Sequence, residues 1–299
     1  MKNNIIHGWL NVYKPRNISS AKVVNIIKYM LKTNKAGHAG TLDLEAEGVL
    51  PIALGEATKL VNIVMQFKKK YKFTIMFGAK TDTADSSGVI IDTTQYIPSR
   101  DECHIICDMF IGEIEQIPPS YSALKINGKR AYQLARSGKK ITLIKRRVKI
   151  FSLKCIEYDE NTNSATYLCD CSKGTYVRTL AEDIALSLQS LGFVIELKRL
   201  EVGMFDVDQA LHISKLRSKC SREIKNTIQK QCLKTETVLK TIPVLNATYE
   251  QAKKIRFGQN CCFSYVQDQE LIWVKNANKI VAIGNLHQGN FKSSRVFNL

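Results

Sequence analysis

Gly37-His38-Ala39-Gly40-Thr41-Leu42-Asp43 sets two glycines and an imidazole just ahead of a carboxylate. Gly37 and Gly40 give the backbone freedom to turn tightly and to let a ligand approach closely, and Asp43 stands at the exit of the turn. The run that follows, Ala46-Glu47-Gly48-Val49-Leu50-Pro51-Ile52-Ala53-Leu54-Gly55, is largely apolar and punctuated by Gly and Pro, and it reads as a loop re-entering a core. A carboxylate between a flexible loop and a buried segment is a candidate nucleophile or base. An Asp after a glycine turn is more often a helix cap or turn former, so residue types alone leave both readings open.

The whole chain narrows the field. At 299 residues it is long enough for a sizeable core and about two domains. Lys and Arg total 44 against 27 Asp and Glu, a formal net charge of +17. That excess favours a polyanionic partner, and nucleic acid is the commonest one. A membrane surface fits less well, because no run of about 18 apolar residues occurs. Met1 to His7 lacks the pattern of a secretory signal, and a cytoplasmic location is expected. The nine cysteines form no Cys-x-x-Cys pair and are odd in number, as expected of reduced, buried thiols. Cys169 and Cys171 share a strand face but lack further ligands for zinc, so neither metal nor cofactor is expected.

Periodicity supplies the elements. Gly8 to Lys14 alternates as a strand and stops at Pro15, and Ser19-Ser20 precede helically spaced Val23, Val24, Ile26, Ile27, Met30 and Leu31. A helix is expected over Ala57 to Phe67 and a strand over Tyr71 to Gly78. Tyr71, beside Lys68-Lys69-Lys70, suits stacking on a base with the cations on phosphates, although a core tyrosine would look the same. Thr81 to Gly88 is a turn-rich acidic island and a weak metal signal. A capped helix begins after Ser99 and includes Ile105, Ile106 and Phe110. From Gln116 to Ile156 there is no Asp or Glu, whereas eleven Lys and Arg occur there, Lys125 and Arg130 among them. Solvated faces normally mix both signs, so this stretch should grip a phosphate backbone. Strands over Lys149 to Tyr158 and Ala165 to Cys171 lead to Lys173-Gly174-Thr175-Tyr176-Val177-Arg178-Thr179-Leu180. There Tyr176 and Arg178 are expected to point the same way from an extended segment. A helix through Glu182, Ile184, Leu186 and Leu188 follows. Arg217 to Lys240 reads as a polar, helical connector, and short strands such as Glu270 to Val274 and Ile280 to Gly284 close the chain.

Four of these stretches together resemble the TruB-type tRNA pseudouridine synthases. Gly37 to Pro51 is similar to that family's Gly-His-x-Gly-x-Leu-Asp-Pro-x-Ala-x-Gly-x-Leu-Pro, with Leu44 where proline is usual. Tyr71 with Thr81 to Asp85, Pro118 to Lys125 with Gly128 to Tyr132, and Lys173 to Leu180 follow in the family's order. Lys14-Pro15 matches a further signature placed beneath the active site. The resemblance implies an α+β fold: a mixed, mostly antiparallel central sheet with flanking helices, the pseudouridine synthase fold, plus a small C-terminal β-rich, PUA-like domain. It divides the chain into a catalytic part at 1–216 with a basic insertion at about 116–156, a connector at 217–242 and an RNA-binding module at 243–299. A short helix ended by Gly138 is expected within the insertion.

The function implied is isomerisation of uridine 55 in the tRNA T-loop to pseudouridine by a monomer. Asp43 is the implied catalytic group and Arg178 its partner; a neighbouring Arg keeps a carboxylate ionised and fixes its rotamer. Asp43 would act as nucleophile or as base toward the ribose, and both stay open. His38, Tyr71 and Tyr176 would hold the flipped nucleotide, Leu197 would pack on the base, Asp85 would support the site, and Lys125 and Arg130 would contact RNA. Two other classes remain: an idle RNA-binding protein, for which all but Asp43 and Arg178 serve equally well, and a base-excising glycosylase.

Overall fold

Strand alternation at the N-terminus gives β1 (Gly8–Lys14), which buries Trp9, Leu10 and Val12. Ser19 caps α1 (Ser20–Leu31), its hydroxyl accepting the Lys22 N–H at 3.1 Å, and Val23, Val24 and Ile27 face inward. In this computed structural model the residues described are 6–119, 125–126, 129–130, 143–214, 221–264 and 267–299. The next strands are β2 (Ala36–His38) and β3 (Glu47–Leu54). The run expected as a loop is thus a buried strand. Its glycine and proline serve close packing rather than a turn. Gly48 has φ +109°, and a Cβ there would lie 2.2 Å from the Arg199 carbonyl oxygen. Pro51 is tolerated because β3 changes neighbours around it, pairing with the strand of Arg199 at Glu47 and Gly48 and with β2 at Ile52 to Leu54. Gly48→Ala is therefore expected to cost about 3 kcal/mol or more, read as a lowered urea midpoint.

The expected helix at Ala57 begins as a 3-10 turn at Gly55–Leu60 and becomes α2 (Val61–Met65). Then come β4 (Lys69–Phe77), the small ladder of β5 (Ala79–Thr81) and β6 (Ile90–Thr93), and α3 (Arg100–Ile105), which starts in a Ser99/Glu102 capping box. Beyond them lie β7 (Gly112–Gln116), β8 (Lys125–Ile126), β9 (Lys129–Arg130), β10 (Arg146–Asp159) and β11 (Ser164–Cys171). Helix α4 (Val177–Ser187), strands β12 (Gly192–Val202), β13 (Phe205–Asp206) and β14 (Leu211–His212), and helix α5 (Ser221–Gln231) complete the larger part. The main sheet has the order β14-β1-β3-β12-β4-β11-β10-β7, with β2 on β3 and β13 on β12. Its described pairings are antiparallel except β1 with β14 and β3 with β12. The mixed, mostly antiparallel sheet matches the expectation.

Helix α4 buries Leu180, Ala181, Ile184 and Ala185 on β4, β10 and β11, while α1 and α5 cover β1 and β3 through Ile27 and Ile228. The stretch expected as a connector is therefore packed, and Leu233 exchanges two backbone hydrogen bonds with Trp9 at 2.8 and 2.9 Å.

The chain ends in a second sheet of order β15-β17-β18-β19-β16, formed by β15 (Val244–Asn246), β16 (Cys261–Cys262), β17 (Gln269–Asn276), β18 (Lys279–His287) and β19 (Asn290–Val296). Helix α6 (Tyr249–Arg256) packs on it. One hydrophobic cluster joins both sheets, with Trp9, Val49, Phe205 and Leu239 meeting Ile283 and Phe297. Beside it, buried Glu56 pairs with Lys35, with Lys59 at 2.6 Å, and accepts the Asn298 N–H at 3.0 Å. Burial alone would raise this carboxyl, but the hydrogen bonds outweigh it and bring it to about 2. No helix among the described residues is long and apolar enough to cross a membrane.

Candidate active site

The loop from β2 to β3 carries Asp43 and is pinned from below. Ser20 is buried and doubly engaged: its hydroxyl donates to the Leu42 carbonyl at 3.0 Å and accepts the Leu42 N–H at 2.9 Å. Lys14, fully buried, donates to the carbonyls of Pro15, Ile18 and Leu44 at 2.9, 2.8 and 3.3 Å. Arg199 on β12 donates to Val49 O at 2.8 Å and Gly40 O at 3.1 Å. Loop carbonyls that would otherwise need water are thereby satisfied, and Asp43 projects from a fixed base with 42% of its side chain exposed.

Arg178 reaches this carboxylate, its Nε lying 3.0 Å from Asp43 Oδ2. Its Nη1 is 3.3 Å from Asp85 Oδ2 and donates to Thr83 O at 3.0 Å. One buried guanidinium thus serves two carboxylates. The acidic island makes this possible by folding on itself. Asp85 Oδ1 accepts the Thr83 hydroxyl at 2.7 Å, the Ser87 hydroxyl at 2.5 Å and the Ser87 N–H at 3.0 Å. The remaining oxygen is left for Arg178.

Arg178 sits in the first turn of α4 rather than on an extended segment, and Tyr176 is the residue ahead of that helix. Burial of Val177 and Leu180 against the sheet selects the helix over the expected extended segment. Tyr176 still reaches the same cleft, because buried Gln116 holds its backbone from both sides: Tyr176 N–H to Gln116 Oε1 at 3.0 Å, and Gln116 Nε2 to Tyr176 O at 3.3 Å.

The resulting cleft is about 540 Å³ and is lined by Asp43, Arg178, Tyr71, Tyr176 and Leu197, with Arg146, Arg147 and Lys173 among its cations. Tyr71 and Leu197 are half-buried, and burial pushes the Tyr71 hydroxyl above its ordinary value. Asp85 lies just behind, around a smaller recess shared with Asp43, Arg178 and Leu197. His38, opposite Ile52 on the β2–β3 ladder and half-buried, is outside the residues that line the cleft. Lys125 and Arg130 face each other in the β8–β9 ladder, and their side chains lie outside the described residues; Arg130, expected to begin a short helix, is in a strand, and the rest of that expected helix, 131–138, lies outside the described residues. No group of three or more His, Cys, Asp or Glu side chains among the described residues could hold a metal ion.

Residues 28–177 match the model of the TruB family pseudouridylate synthase N-terminal domain. "tRNA pseudouridine synthase B" of Rickettsia bellii (strain OSU 85-389) is 54% identical over 293 residues, covering 97% of this chain and 98% of the relative. The chain belongs to the TruB family. The protein of the same name from Rickettsia akari (strain Hartford) is 51% identical over 97% of this chain and 98% of its own length. The fold of this TruB family member is shared by a chain in the solved "Structure of H/ACA RNP bound to a substrate RNA containing 2'-deoxyuridine", with a TM-score of 0.73 at 20% identity, covering 98% of this chain and 86% of that one.

Sequence reasoning missed Ser20, Gln116 and Arg199 as parts of this TruB site. Arg199 carried a usable signal, since it shares the two-residue period of β12 with Leu197 and so lies on the same face. Ser20 looked like an ordinary cap residue, and Gln116 carried no signal.

Proposed function

We propose that this chain isomerises uridine 55 of the tRNA T-loop to pseudouridine, with Asp43 as the catalytic carboxylate. The observation that carries the reading is the 3.0 Å contact between Arg178 and Asp43 at the floor of a cationic cleft flanked by two tyrosines. Relatives named tRNA pseudouridine synthase B support tRNA as the substrate.

The N1–C1′ bond breaks and a C5–C1′ bond forms; C5 gives up its proton and N1 gains one, so the product is an isomer. Asp43 either captures C1′ or takes a ribose proton. Arg178 keeps the carboxylate ionised and aimed. The uridine must leave the RNA stack at a cost of a few kcal/mol, and stacking on Tyr71 and Tyr176 at about 1–3 kcal/mol per base offsets much of it. His38 supports the turn beside the everted nucleotide, Leu197 packs on the base, and Asp85 positions Arg178. Lys125, Arg130 and the rest of the basic insertion at about 116–156 hold phosphates. We assign 1–216 to catalysis, 217–242 to a connector and 243–299 to further RNA contact, in a cytoplasmic monomer. All the groups named come from one chain, so the site needs no second copy.

Incubation with unmodified tRNA followed by nucleoside mapping tests the reading. Pseudouridine at position 55 is expected; an abasic site would make the protein a glycosylase, and unchanged uridine a binding protein. Affinity for tRNA is also expected to fall about 100-fold or more between 50 and 200 mM salt, measured by filter binding, whereas a flat dependence would remove phosphate gripping.

A further inference from the structure

Beneath the cleft the main sheet carries a transverse row of residues. Lys14 on β1 is opposite Gly48 on β3, Gly48 is opposite Arg199 on β12, and Arg199 is opposite Tyr71 on β4. Residues paired in this way share a face of the sheet. Lys69, two residues before Tyr71, lies on that face too. Lys14, Arg199 and Lys69 are 0%, 1% and 8% exposed, which makes them three buried cations along one line. Each is held by carbonyl oxygens: Lys14 and Arg199 as described, and Lys69 by those of Met65 and Phe67, both at 2.6 Å. None forms an ion pair with a carboxylate among the described residues.

Carbonyl dipoles solvate a cation but do not neutralise it, so burying three of them costs stability that a folded protein seldom gives up without use. The strain shows in the lysines. Burial brings Lys14 down to about 8 although Asp43, Glu45 and Glu47 pull the other way and only Arg199 adds to the fall. Burial brings Lys69 down to about 8 as well, with Arg199 and Lys173 adding to the fall and Cys171 opposing it. Asp43, Glu45 and Glu47 offset part of the Lys14 charge, whereas a ligand's negative charge would add what carbonyls do not give Arg199 and Lys69.

Two parts of a nucleotide could supply it. Exposed Arg146, Arg147 and Lys173 line the same cleft and suit the solvated phosphates. Arg199 and Lys69 instead line it beside Tyr71 and Leu197, where the ring of the everted base would rest.

We propose that Arg199 and Lys69, with Lys14 beneath them, stabilise the negative charge that collects on the uracil while it is detached from the ribose; this rests on the reading of the site given above. When the N1–C1′ bond breaks, its electron pair stays on the ring, and C1′ is taken by the Asp43 carboxylate or becomes part of a glycal after loss of a ribose proton. The uracil is an anion in both routes until C5 bonds to C1′. Fixed cations in a site sheltered from water stabilise such a charge without having to reorganise. Arg199 and Lys69 are then catalytic residues and Lys14 a positioning residue that also supports the Asp43 loop.

The test uses the full chain with Arg199→Met, Arg199→Lys and Lys69→Met, each shown by circular dichroism to be folded. T-arm RNA affinity and single-turnover rate are measured with uridine and with 4-thiouridine at the target position, the sulfur of the latter dispersing the ring's negative charge. Arg199→Met is expected to lose about 100-fold in rate on uridine with affinity within about 3-fold of the parent. Arg199→Lys should regain at least a tenth of the parent rate, and the Arg199→Met defect should shrink at least about fivefold on 4-thiouridine. Equal defects on the two bases would make the role merely structural, and a loss confined to affinity would mean the cations hold a phosphate; either overturns the proposal. Should Arg199→Met not fold, Lys69→Met carries the same comparison. Failure of the parent chain to make pseudouridine would strike the functional reading instead.

Discussion

Asp43→Asn is expected to reduce pseudouridine formation by at least about 10⁴-fold while leaving tRNA affinity within about 3-fold of the parent. The amide is isosteric, but it can neither capture C1′ nor accept a ribose proton. The fold should be unaffected, because Asp43 is partly exposed and Arg178 retains Asp85 at 3.3 Å and Thr83 O at 3.0 Å. Removing one negative charge from a cationic cleft also lowers repulsion of the RNA. The measurements are nucleoside mapping after single turnover and filter binding. Normal turnover by this variant would end the case for Asp43 as the reacting group.

Arg178→Met should fail in two separable ways. Asp43 loses its anchor, and single-turnover rate is expected to fall about 100- to 1,000-fold with a smaller change in affinity. Asp85, only 11% exposed at its side chain, is left without its cation, and breaking a buried pair from one side costs about 3–5 kcal/mol. The double variant Arg178→Met with Asp85→Asn removes the stranded charge. It should recover most of the stability, read as the urea midpoint, and none of the rate. Recovery of the rate as well would show that Arg178 acts only by holding the fold.

The loop that carries Asp43 and the acidic island were legible because each is local: a carboxylate or a turn declares itself within a few residues. β1, α1 and β4 were legible through their periods, since each has one buried face. β3 was not, because it is buried on both faces and so lacks alternation, and because Gly48 and Pro51 read as turn formers until their neighbours are known. The family pattern set Arg178 beside Asp43, and the two lie 3.0 Å apart, yet the helical setting of Arg178 depends on burial of Val177 and Leu180 against distant strands. Lys14 ends the alternation of β1; two of the carbonyls that enclose it, those of Pro15 and Ile18, are local, but the third comes from Leu44, 30 positions on. Arg199 meets Gly40 and Val49 across some 150 positions of chain. Contacts of that span are set by the sheet order, which residue types do not encode locally.

The seam between the two sheets bears on how the protein comes apart. Trp9 of β1 and Phe297 just beyond β19 belong to one hydrophobic cluster, and Glu56 accepts the Asn298 N–H beside it. The half that holds Asp43 therefore shares its apolar base with the second sheet. The two should melt as a single unit, and a cavity cut at Phe297 should be felt at β1 as much as in its own sheet.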